Sequence, residues 1–208
     1  MTTKTTTTKK TTTRTTAKSG AERAPKKAAV VAENLPSNPF AFEVLALMSK
    51  QRSNAKKIEI LKKYEDPSLK AIFIWNFDDT IISVLPPGQV PYSSTKEQTA
   101  YSGTLSGKIE DAVNKMGEMG SNSLGSQDQG FSSIRKEYKM FYNFLKGGND
   151  SLSSLRRETM FINILEGLHP LEAEILILVK DKKLQDKYSI TKEIVSSAYP
   201  DIVWGGRS

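Results

Sequence analysis

The chain is 208 residues long, carries 30 Lys and Arg against 23 Asp and Glu, and contains no cysteine. That length allows one domain with a proper core plus tails, and the missing cysteine excludes a disulfide framework and any thiolate metal site. No apolar run approaches the roughly 20 residues that span a bilayer, and the N-terminus lacks the apolar centre of a signal peptide, so no membrane partner is expected.

The charge divides unevenly along the chain. Residues 1–37 hold eight Lys and Arg against two Glu, a net of +6, whereas from Asn38 onward 22 stand against 21, a net of +1. Residues 2–16 contain only threonine, lysine and arginine. Such a segment cannot offset chain entropy by burying apolar surface, so residues 1–37 are read as a disordered basic tail. Ala17 to Ala32 is richer in alanine and suits a transient helix. The residues placed to neutralise phosphates are Lys4, Lys9, Lys10, Arg14, Lys18, Arg23, Lys26 and Lys27. A spacer or solubilising tail is the other reading of the same composition.

From Ser37 the sequence turns helical. Ser37 or Asn38 is the expected cap of a first helix, with Pro39 in its first turn and Phe40, Val44, Leu45 and Leu47 or Met48 on its apolar face. Ser53 caps a second, with Ile58, Leu61 and Tyr64 on one side and Lys56, Lys57, Lys62 and Lys63 on the wet side. A basic face of this kind can touch phosphate, although it is more often simply solvated. Asp66-Pro67 reads as cap and first turn of a third helix, from Ser68 to about Trp75. Pro86-Pro87-Gly88 and Pro91 then impose a surface turn and an extended crossing segment. A helix over about 108–116 follows from Ile109, Ala112, Val113 and Met116. Residues 117–130 have linker composition. Ile134, Tyr138, Phe141, Tyr142 and Leu145 predict a helix from Phe131 to Lys146, closed by Gly147-Gly148.

The longest punctuated stretch is Leu152 to Pro200. Met160, Ile162, Ile164, Leu165 and Leu168 form one helical face, leaving Arg156, Arg157, Glu158 and Glu166 for water. His169-Pro170 breaks the pattern. A second helix starts near Leu171, with an all-apolar centre at Ile175–Val179 that predicts burial on every side, and closes at Lys180, Lys182 and Lys183. A third, announced by Ser189 and Thr191, runs through Ile194 and Val195 and stops at Pro200.

Motifs for chemistry are few. Ile72 to Ile82 superficially matches the haloacid-dehalogenase signature, a strand entering Asp-x-Asp-x-Thr, but Asn76 stands where the nucleophilic carboxylate is required, and an amide forms no aspartyl phosphate. Asp78 and Asp79 are expected to cap a turn or face solvent, with Trp75 and Phe77 in the core. His169 is the only histidine; one imidazole builds no metal cluster, and beside Pro170 it suits a turn bonded to a helix end. None of the glycines fits G-x-x-x-x-G-K-S/T. A helix-turn-helix with Leu171–Val179 first and Ile190–Ala198 second would need a turn of three or four residues, and the connection here is eight.

The stretches NPFAFEVLALMSKQ and LKKYEDPSLKAIFIWNFDDTIISVLPPGQVPY, the segment around Tyr138 to Leu145, and Leu152 to Pro200 together resemble a family of uncharacterised proteins of T4-like tailed phages of marine bacteria. The resemblance covers about Asn38 to Trp204. It implies a phage setting, hence host cytoplasm with virion association as a further location, and transfers no site residue.

The expected architecture is all-α: a tail (1–37), an N-terminal helical lobe (38–116), a Gly/Ser linker (117–130) and a C-terminal helical lobe (131–208). The expected function is non-enzymatic, with no catalytic residue, metal or cofactor. It is that of a phage accessory protein associating electrostatically with nucleic acid, and with another phage or host protein as a further partner. The competing class is a protein-interaction or virion-structural component whose tail is a spacer.

Overall fold

The computed structural model describes Met1 and residues 35–91, 103–119 and 130–206. The eight tail cations singled out above, and most of the 117–130 linker, lie outside these residues. Among the described residues there are nine α-helices and one 3₁₀ helix, with no strand, so the fold is all-α.

In chain order, α1 spans Ala41–Ser49, α2 Asn54–Lys63 and α3 Pro67–Phe77. Then come α4 Leu105–Met119, α5 Ile134–Glu137 and a 3₁₀ helix Tyr138–Phe144. The C-terminal part holds α6 Ser154–Gly167, α7 Pro170–Lys180, α8 Leu184–Lys187 and α9 Lys192–Ala198. Local signals account for most of the boundaries. Asp66 caps α3, its carboxylate accepting from Ser68 N at 2.8 Å, with Pro67 at the first helical position. Ser53 and Thr191 occupy the cap positions of α2 and α9. His169 caps α7, its Nδ1 accepting from Leu171 N at 3.1 Å, as expected of a turn residue bonded to a helix end.

Three boundaries depart from expectation. Helix α1 begins two residues beyond Pro39, with Phe40 as cap, because the Glu43 side chain reaches back to accept from Phe40 N at 2.8 Å. Helix α4 is longer than 108–116 by three residues at each end. The predicted helix Phe131–Lys146 is instead one α-helical turn followed by the 3₁₀ segment. Its far end is held by non-local bonds: Val84 N donates to Phe144 O and Lys146 N to Ile82 O, each at 2.9 Å. Gly147 follows with φ +77°, a conformation that an L side chain strains to adopt.

Helix α7 is the hub and packs on α1, α3, α4 and α6, while α2 packs on α1 and α9. Ile175, Leu176 and Val179 of α7 are fully buried, but Ile177 and Leu178 are only half-buried, so the helix keeps one shallow side instead of being enclosed all round. An aromatic chain ties the segments together. Trp75 of α3 meets Phe141 edge-on at 5.3 Å, and Phe144 meets Phe161 of α6 at 5.2 Å. A single apolar core thus draws on residues from Ala41 to Ile202. Gly130 anchors the start of the C-terminal part: its φ is +70°, and a Cβ there would lie 2.5 Å from His169 N. The chain passes so close because Phe131 N and Ser132 N both donate to Gly167 O.

Candidate nucleic-acid interface

A polyanion-binding surface needs cations that the fold has not already engaged, so the distribution of Lys and Arg partners decides where one exists. Much of the basic rim of the C-terminal part is engaged. Lys180 is buried and donates to Pro86 O at 2.8 Å and Gly88 O at 3.1 Å, clamping the proline turn, and pairs with Asp181. Lys182, in the left-handed region at φ 56°, donates to Asp78 O at 2.8 Å. Lys187 pairs with Glu174, and the Lys192 ammonium lies 5.1 Å from the Trp204 ring centre. These contacts remove most of the cations that a helix-turn-helix would have turned toward a phosphate backbone. Helix α8 also occupies the connection between α7 and α9, and Ile194, Val195 and Ala198 of α9 are buried.

Of the arginines expected on the wet side, Arg156 is exposed, whereas Arg157 is used by the fold. Arg157 donates to Asn143 O at 2.7 Å, Asn149 O at 2.8 Å and Leu152 O at 3.1 Å, and so organises the loop before α6. Arg135 pairs with Asp66 at 2.8 Å and donates to Pro39 O. Lys70 bridges Glu65 and Asp201; the hydrogen bond to Asp201, then that to Glu65, holds its ammonium above its ordinary pKa.

Helix α2 differs. Lys57 leaves the predicted wet face: it is buried, its Nζ donating to Ser189 O at 2.6 Å and Ser189 Oγ at 2.7 Å. Lys56, Lys62 and Lys63 are exposed, as are Lys50 and Arg52 just before the helix, with Glu59 the acidic residue among them. The described chain also enters the fold here: Leu35 N donates to Tyr64 Oη at 3.1 Å, next to the last turn of α2. Leu35 thus enters the domain close to exposed lysines of α2.

Asp78, Glu172 and His169 have structural tasks. The stretch Ile72–Phe77 is helix, not the strand of a dehalogenase signature. Asn76 is buried, donating to Gln185 Oε1 at 3.0 Å and accepting from Leu184 N at 3.1 Å. Trp75 is core and Phe77 half-buried. Asp79 is exposed, whereas Asp78 is buried and caps the turn, accepting from Thr80 N and Thr80 Oγ1 and also from Gly205 N at 3.0 Å. Burial pushes the Asp78 carboxyl up, but the bonds from Gly205 and Thr80 and the charge of Lys192 outweigh it and leave the pKa below its ordinary value. Stability from ionised Asp78 is then fully present above the unfolded pKa and lost as pH falls through the lower folded one. Asp78→Asn should accordingly cost about 1–3 kcal/mol at neutral pH. The gap from the parent protein should close on acidification below the ordinary carboxylate range, as read by denaturant melts at stepped pH.

Glu172 is a buried carboxylate that the sequence did not single out as interior. It accepts from Ala41 N at 3.2 Å and Ile134 N at 2.9 Å, closing the N-terminal ends of α1 and α5 at once. Burial raises its pKa, and those two N–H groups partly oppose the shift. His169 is fully buried and stacks on Phe42 at 4.8 Å. Among the described residues no group of His, Cys, Asp and Glu is arranged to hold a metal ion, and no helix is long and apolar enough to cross a membrane.

An open groove of about 710 Å³ runs along α6, lined in part by Met140, Leu155, Thr159, Met160 and Ile164. Leu155 is 76% exposed on its rim.

No curated protein and no solved structure matches the chain. A family model described as a family of unknown function, DUF6433, matches residues 44–119 and 121–186, from inside α1 to α8, with the basic tail wholly outside the match. That is more than half of the sequence, and the chain belongs to the DUF6433 family.

Proposed function

We propose that this is a non-enzymatic, phage-encoded accessory protein that associates with nucleic acid chiefly through its basic tail, acting in the DNA metabolism, transcription or genome packaging of a T4-like phage inside the host cell. The observation that carries the reading is the charge division, +6 over residues 1–37 against +1 over the rest. A polycation of this kind gains affinity by releasing counterions from phosphates and needs no folded site. The entry of the chain beside the exposed lysines of α2 supports the same reading. The non-enzymatic part draws support from the tasks of Asp78, His169 and Glu172, which hold a turn and helix ends.

A second reading, a protein-interaction or virion-structural component with a spacer tail, is favoured by the α6 groove and its exposed Leu155. A duplex-DNA column and purified phage particles separate the two. The first reading expects retention at low salt and elution on a salt gradient. Passage through the column unretained at about 50 mM salt, where six phosphate contacts would hold the protein strongly, overturns it. Stoichiometric presence in particles then selects the second.

A further inference from the structure

We propose that the open groove along α6 is the interface of a two-fold dimer, in which α6 of a second copy of this chain lies antiparallel to it. The inference concerns self-association and stands apart from the nucleic-acid reading of the tail.

The two ends of the groove differ in chemistry. At the N-terminal end, the first turn of α6 presents Leu155, 76% exposed, beside the exposed Arg156. The C-terminal end lies at Gly167. There Ser132 N donates to Gly167 O at 2.9 Å, and Ser132 Oγ donates to the Glu137 carboxylate, which fixes that acid at this end. Phe131, 97% exposed, is held at the same end by its own N–H, which donates to Gly167 O at 2.8 Å. Arg156 and Glu137 are the charged residues among those that line the groove. Arg156 stands eleven residues before Gly167, about 16 Å along a helix axis, so base and acid occupy opposite ends.

A surface of this kind complements itself in one orientation. About a two-fold axis, a residue that meets a second across the interface is met by that second residue's copy in turn. With the helices antiparallel, the N-terminal end of each groove lies level with the C-terminal end of the other. Arg156 then faces the partner's Glu137, and Leu155 comes level with the partner's Phe131, each contact occurring twice. Gly167, without a side chain, leaves room for the incoming turn, and Met160 and Ile164 supply an apolar floor between the ends. A parallel pair would set Arg156 against Arg156 and Glu137 against Glu137, which like charge opposes. A helix of some other protein could use the same floor. It is the opposition of both the charged and the apolar residues across one groove that selects a second copy.

The test uses the full-length, nuclease-treated protein and sedimentation velocity over a concentration series reaching the high micromolar range. The sedimenting mass should rise with concentration from 23.1 kDa toward twice that value. Leu155→Asp, at an exposed position, should keep the parent thermal melt and remain monomeric. Arg156→Glu and Glu137→Lys should each weaken self-association on the order of tenfold, since two attractive contacts become repulsive. Mixing these two variants should restore it, because the mixed pair has opposite charges at both contacts. The chain has no cysteine, so Thr159→Cys, on the middle of the groove, introduces a single thiol. A short bismaleimide should cross-link that variant to double mass, and should not do so for Ser197→Cys, exposed on α9. A monomer at every concentration overturns the proposal and leaves the groove to another protein. A dimer that survives Leu155→Asp, or that mixing the charge variants fails to restore, overturns it by placing the interface elsewhere. Should Glu137→Lys fail to fold, Leu155→Asp and the cross-link decide.

Discussion

Replacing Leu176 by alanine is expected to destabilise the folded domain by about 2–5 kcal/mol. Leu176 is fully buried on α7, between Ile175 and the half-buried Ile177, in the helix that packs on α1, α3, α4 and α6. Truncation removes the transfer energy of the lost carbons and leaves a cavity that several helices would have to move together to fill. For a folded part of this size each kcal/mol moves the midpoint by roughly 2–4 °C, so a fall of about 4–20 °C is the expected readout. Leu178 is the internal comparison. It sits in the same apolar run but is half-buried, so Leu178→Ala should cost clearly less. An unchanged thermal melt for Leu176→Ala would mean that α7 is peripheral, contrary to its packing.

What was legible in the sequence were features whose cause lies within a few residues. Asp66-Pro67, Ser53, His169-Pro170 and Thr191 mark helix starts because a cap, or the loss of an N–H, acts on the adjoining turn. The run Ile175–Val179 announced a central helix for the same kind of reason, although not which side stays shallow.

The features that escaped depend on partners far along the chain. Lys57 looked solvated because nothing local distinguishes it from Lys56; its partner Ser189 is 132 residues away. Glu172 stands at a helix start, where a carboxylate suits the dipole, and only the arrival of Ala41, 131 residues distant, and Ile134 makes it a buried double cap. Arg157 had the spacing of a wet-face residue, yet the loop from Asn143 to Leu152 folds over it. The spacing of Ile134, Tyr138 and Phe141 fits an α-helix, but bonds from the 82–84 segment to the end of the 3₁₀ helix reshape it. For the candidate site, the tail cations were readable from composition alone. Which lysines of the domain remain exposed became visible only after the structure showed which ones the fold uses.

The largest effect expected in solution is on the salt dependence of nucleic-acid binding. If the tail engages about six phosphates of a duplex, log affinity should fall against log salt with a slope of roughly −5. Going from about 50 to 200 mM salt then weakens binding on the order of a thousandfold. Phosphate contacts carry no sequence information, so affinity should be nearly the same on unrelated sequences. All eight of its cations precede Leu35, and a chain beginning at Leu35 keeps the Leu35–Tyr64 bond and every core residue.

Fluorescence anisotropy of the full-length protein and of the chain starting at Leu35, on two unrelated duplexes over that salt range, tests the central claim directly. The account predicts a steep, sequence-independent slope for the full chain. It predicts much weaker binding and a shallow slope for the shorter one. Equal affinity and equal slope for the two chains would contradict it.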